Sequence, residues 1–85
     1  MQLHNFMETA VKAIYEDMSK SNTNIPKSKK NQLDIMAIAL NNLPPKYTVS
    51  EKGNLFNKVN TIEQQFRTDI ICEIIKAIDI VSLNP

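Results

Sequence analysis

A chain of 85 residues, 42% hydrophobic and 22% charged, is one small globular domain near the stability margin, where disulfides, metals or oligomerisation usually help. Cys72 is the only cysteine and His4 the only histidine, which excludes a disulfide framework and an ordinary structural zinc site within one chain, leaving oligomerisation. A net charge of +1 and few aromatics count against a nucleic-acid-binding domain.

The N-terminal stretch MQLHNFMETAVKAIYED carries carboxylates early and lacks the basic start and pure apolar run of a signal peptide. Over roughly residues 4–20, Phe6, Met7, Ala10, Val11, Ile14 and Met18 recur at helical spacing, and Asn5 followed by Glu8 makes a capping pair. The run SKSNTNIPKSKK (19–30) has no apolar period and contains Pro26, which predicts a polar loop. A second helix is expected from Ser28 or Lys29. Leu33, Ile35, Met36, Ala37, Ile38, Ala39, Leu40 and Leu43 make it apolar around most of its circumference, a pattern normally buried on more than one side. Asp34 and Asn41, seven apart, share a face of that helix and are read as structural, capping neighbouring backbone groups. Pro44 and Pro45 then stop it.

Residues 46–49 (KYTV) read as a short extended segment, and Gly53, the single glycine, permits the turn that follows. A lone strand leaves its backbone groups unpaired, so the expected partner is the same segment of a second chain, near a dimer axis. Leu55, Val59, Ile62, Phe66, Ile70, Ile74, Ala77 and Val81 then keep one helical register. This predicts one long helix from about 54 to 82, with Asn60-Thr61 the place for a kink. Further isoleucines at 71, 75, 78 and 80 exceed what two helices of one chain can cover, which again points to a dimer. No apolar run approaches the roughly 18–20 residues that span a membrane, and with a lone thiol the expected address is the cytoplasm.

Catalytic signatures are missing: there is no nucleophile elbow, phosphate-cradling glycine loop or zincin motif. Cys72 and His4 are read as bland, Cys72 as a small hydrophobe within the long helix. Asp69 and Glu73 are read as a hydrated helix face. Charge is uneven, however. Residues 28–60 hold five lysines (Lys29, Lys30, Lys46, Lys52, Lys58) against Asp34 and Glu51, whereas Arg67 and Lys76 face Glu63, Asp69, Glu73 and Asp79 further on. An anion would be drawn to the middle of the chain, although a solvated lysine face is the plainer account. Arg67 is open to two readings, a pair with Glu63 or a fork for phosphate or a guanine edge.

Four stretches in order carry a resemblance: Asp34-x-x-Ala37-x-Ala39-Leu40-Asn41-x-Leu43-Pro44-Pro45-x-Tyr47, Glu51-Lys52-Gly53-x-Leu55, Gln64-Gln65-Phe66-Arg67-x-Asp69-Ile70 and Val81-Ser82-x-Asn84-Pro85. Together they resemble the late-competence ComFB family across roughly residues 31–85. Many members carry a C-x-C-x-x-C cluster that serves a structural zinc; here Pro26, Ser28 and Asn31 stand at those positions, so no metal is expected and Pro26 with a Ser28 cap should hold the loop. The resemblance implies a mainly α, three-helix cytoplasmic homodimer of one domain, residues 1–85, that is not an enzyme. Similar proteins are linked to competence, motility and pili, and some cyanobacterial members are receptors for cyclic di-GMP. For such a ligand the candidate contacts are Lys46, Tyr47, Thr48, Lys52, Gln65 and Arg67, without any further cofactor. The alternative is a protein-interaction adaptor with no small-molecule ligand, in which Tyr47 and Val49 are packing residues.

Overall fold

A computed structural model describes residues 2–22, 24–50 and 64–83. The chain runs β1 (Gln2–Asn5), α1 (Phe6–Ser21), α2 (Lys29–Asn41), β2 (Tyr47–Ser50) and α3 (Gln64–Leu83). It is mainly α, with three helices and a two-stranded sheet among the described residues.

Helix α1 starts where its cap dictates. Asn5 is extended, and its side-chain oxygen accepts from the Met7 amide at 3.1 Å, satisfying one of the first-turn donors. Glu8 stands in the first turn and Lys20 in the last, each where the helix dipole favours its charge. Phe6, Met7, Ala10, Val11, Ile14 and Tyr15 are all buried, half of the core. Burying an Ile14-sized side chain fully is worth about 1.5–3 kcal/mol against leaving it exposed.

The 22–28 connection is less polar in its packing than in its composition. Ile25 is buried in the core, and the Tyr15 hydroxyl donates to the Pro26 carbonyl. Ser28 caps α2, its hydroxyl accepting from the Asn31 amide at 3.2 Å. At the other end the Asn42 amide reaches the Ala39 carbonyl at 3.1 Å and its side-chain nitrogen donates to the Ile38 carbonyl at 2.9 Å, just before the diproline. Capping at the prolines thus falls to Asn42, where the sequence pointed to Asp34 and Asn41. Asp34 pairs with Lys30 at 2.8 Å across one exposed helical turn, and Asn41 is exposed.

Against expectation, α2 buries only Ile35 and Ala39 fully; Leu33 is 53% exposed and Ala37 is exposed. One chain supplies α1 and α3 as neighbours, which cover part of its circumference and leave the rest to solvent. Helix α3 buries Ile70, Ile74 and Ala77, with Phe66 and Val81 half-covered, the stripe expected from its spacing, and Ile71 and Ile78, outside that stripe, are half-covered as well. The expected portion from 54 to 63, with Asn60-Thr61 and the Arg67–Glu63 pair, lies outside the described residues. No described helix is long and apolar enough to cross a membrane.

The extended segment is β2, residues 47–50, and its partner corrects the sequence reading. It pairs antiparallel with β1 of the same chain, in the register Gln2↔Ser50, Leu3↔Val49, His4↔Thr48 and Asn5↔Tyr47. The chain's own N-terminus therefore satisfies the backbone groups that had pointed to a second chain. β1 was not foreseen. QLHN holds one strong apolar residue and no alternation, so only the partner strand reveals it.

Candidate ligand-binding surface

Lys46 sits where the prolines end and β2 begins, and three elements meet on it. Asn5 Oδ1, already capping α1, also accepts from the Lys46 amide at 3.0 Å, and the Phe6 amide donates to the Lys46 carbonyl at 2.6 Å. One asparagine thus starts a helix and fixes the hairpin entry. Beyond this fixed backbone, Lys46 Nζ stands 5.9 Å from the Phe6 ring centroid and 5.4 Å from that of Phe66. Both lie within the range in which a ring face attracts a cation. Phe6 opens α1 and Phe66 lies in the first turn of α3, so a residue from the middle of the chain bridges the starts of the first and last described helices.

The other candidates fall around this point unevenly. Arg67 is half-buried and is the next residue after Phe66 on α3. Tyr47 is 64% exposed and shares a face of the sheet with Leu3 and Val49, 70% and 61% exposed. Its ring is free to stack against a planar group or an apolar partner. Thr48 lies in β2 opposite His4. Gln65, just before Phe66, is exposed on α3 and donates to Asp69 at 3.2 Å. Lys52 and Gly53 lie outside the described residues. A cleft of about 280 Å³ near Tyr15 and Lys27 and another of about 400 Å³ between α1 and Met36 include none of the six ligand candidates. Asn5, Phe6 and Phe66 are the residues that sequence reasoning missed: all three were assigned to capping or core, and nothing in local spacing marks a ring that seats a distant lysine.

At the positions where the resemblance places zinc ligands, Pro26, Ser28 and Asn31 offer no thiolate or imidazole, a donor set that does not fit zinc. Their work is mechanical. Pro26 takes the Tyr15 hydroxyl and Ser28 caps α2. Burial raises the Tyr15 phenol above its ordinary pKa, with the neighbouring Ser19 side chain pulling part of the way back.

The model of the late competence development protein ComFB family matches residues 4–85. This chain belongs to that family. The match takes in α1 and the second half of β1, which extends the likeness beyond the motif-bearing stretch from residue 31. No curated protein matches the ComFB-family chain. Among solved structures, the late competence protein ComFB from Bacillus subtilis is similar, with a TM-score of 0.79 over 99% of this chain and 92% of that one. At 21% identity that likeness establishes the ComFB fold.

Proposed function

We propose that this ComFB-family protein is a cytoplasmic, non-enzymatic signalling module that works as a homodimer and binds a cyclic dinucleotide, cyclic di-GMP, between its two copies. The observation that supports this reading best is the placement of Lys46 over the Phe66 ring at the start of α3, the helix that also carries Arg67, with Tyr47 exposed next in sequence to Lys46. An ammonium and a guanidinium suit a phosphodiester and a guanine edge, and an exposed phenol suits stacking on a base. A two-fold symmetric ligand meets the same residues twice in a two-fold symmetric dimer. Calorimetric titration of the purified protein with cyclic di-GMP tests it. The expected result is one ligand per dimer with a rise in melting temperature; no heat and no thermal shift at ligand concentrations on the order of tens of micromolar overturns it.

A second reading rests on the sheet. Leu3, Tyr47 and Val49 present a contiguous exposed apolar face on a two-stranded sheet, an element that is marginal in water on its own. In this reading the protein is an adaptor of the competence or motility machinery, and the dimer or a partner protein covers that face. Tyr47→Ala then disrupts dimerisation while Arg67→Ala and Lys52→Ala change little. The dinucleotide reading expects Arg67→Ala to abolish ligand heat with the dimer intact.

A further inference from the structure

The described lysines differ in how their charge is spent. Lys30 lies 2.8 Å from the Asp34 carboxylate and Lys76 lies 3.2 Å from that of Glu73, so both cations are locally neutralised. Lys46 has no carboxylate within 4 Å among the described residues. Its ammonium stands over two ring faces, and its backbone is held on both sides by Asn5 and Phe6. A ring face attracts the charge without cancelling it, and an ammonium has three donors, so it can still donate to an oxyanion. A free lysine loses much of its rotamer freedom when it binds; one already seated loses less, and preorganisation of this kind appears as affinity.

We propose that Phe66, together with Phe6, is a positioning residue that presets Lys46 as the phosphate contact of this surface. The proposal rests on the reading of this surface as a ligand site and deepens it by naming what aims the cation. Phe6 is 4% exposed and opens α1, so it forms the fixed wall. Phe66 is only half-buried, which leaves it open to substitution without excavating the core.

The test uses the full chain with two probes, inorganic pyrophosphate and cyclic di-GMP, observed by the NMR signals of the Lys46 ε-methylene. In the unsubstituted protein those signals should lie upfield of an unstructured lysine, because they sit over the rings, and should move on pyrophosphate addition. Phe66→Leu should lose the upfield displacement and bind pyrophosphate about fivefold more weakly, while Phe66→Tyr, which keeps the ring face, retains both. In a Lys46→Met background, Phe66→Leu should cost no further affinity, a result that a general loss of structure would not give. Lys46 signals at the unstructured position, absence of pyrophosphate binding, or unchanged affinity in Phe66→Leu each overturn the proposal. If Phe66→Leu fails to fold, the unsubstituted protein's signals and the Phe66→Tyr variant still decide. Pyrophosphate binding that depends on Phe66, without cyclic di-GMP binding, sustains the positioning role and removes the dinucleotide. Cyclic di-GMP binding indifferent to Phe66 does the reverse.

Discussion

Helices α1 and α2 are both rich in apolar residues, yet the first buries six of them and the second only two. In α1, Glu8, Lys12, Glu16 and Asp17 mark the outside, so the remaining stripe has one place to go. In α2 apolar residues occupy most of the circumference, and the fold uses the Ile35–Ala39 side while Leu33 and Ala37 stay in solvent. A clean stripe therefore reports the core. An all-round apolar helix reports more sticky surface than one chain can cover, and only its neighbours decide which part is core.

The sharpest way to break that comparison is to truncate matched residues from each class. Ile14→Ala and Ile35→Ala each remove a side chain that is at most 1% exposed. Both should cost about 3 kcal/mol in urea unfolding, because the lost transfer energy is joined by a cavity that relaxes only in part. Against a total stability of roughly 5–15 kcal/mol either change brings a small domain close to unfolding at 37 °C. A loss below about 1 kcal/mol at Ile35 would show that α2 has no true core side.

Next in size is the junction that ties the two regions together. Asn5→Ala removes a helix cap and the acceptor for the Lys46 amide in one step. The expected cost is about 1–2 kcal/mol, with Asn5→Asp largely restoring it, since a carboxylate accepts both bonds and suits the helix N-terminus. Amide exchange should show the Lys46 amide losing protection in the alanine variant. Unchanged protection there would mean that the hairpin is held by its strand pairing alone.

These effects also show where the sequence was legible. The first helix, its Asn5 cap, the Ser28 cap and the Ile70–Ile74–Ala77 stripe follow from local rules, because each depends on residues within one or two turns. The β1–β2 pairing does not, since residues 2–5 carry no strand pattern until residues 47–50 are set against them. Ile25 hides within a polar run for the same reason: a single residue has no period. For the candidate surface, motif residues such as Tyr47 and Arg67 stood out by resemblance, whereas the seat of Lys46 did not. It depends on rings at residues 6 and 66 meeting in space, a distance no local pattern encodes.

A smaller effect is expected where α1 fastens the loop before α2. Tyr15→Phe keeps the buried ring and removes the hydroxyl donated to Pro26, costing about 1 kcal/mol at neutral pH. The same hydroxyl fixes an alkaline limit. Its folded pKa is raised by burial, so the folded state holds the phenolic proton more tightly than the unfolded one. That contribution is present in full below the ordinary phenol value of about 10 and is lost as pH rises through the folded value. Unfolding followed from pH 8 to 11 should show stability falling at the alkaline end, with a shallower fall in Tyr15→Phe. Superimposable slopes would place the alkaline transition elsewhere.

The smallest expected effect comes from the side of α2 that the core leaves out. Leu33 is 53% exposed, so Leu33→Ser removes little buried surface, and stability should change by no more than about 0.5 kcal/mol. Set beside Ile35→Ala, two residues away on the same helix, it is the direct test of whether exposure or hydrophobicity sets a residue's worth. The dimer proposed above is centred on the hairpin, so sedimentation should give Leu33→Ser the same monomer–dimer balance as the unsubstituted protein. A shift toward monomer, or a loss beyond about 1 kcal/mol, would move the covered face from the hairpin to α2. The apolar surplus of that helix would then be the interface itself.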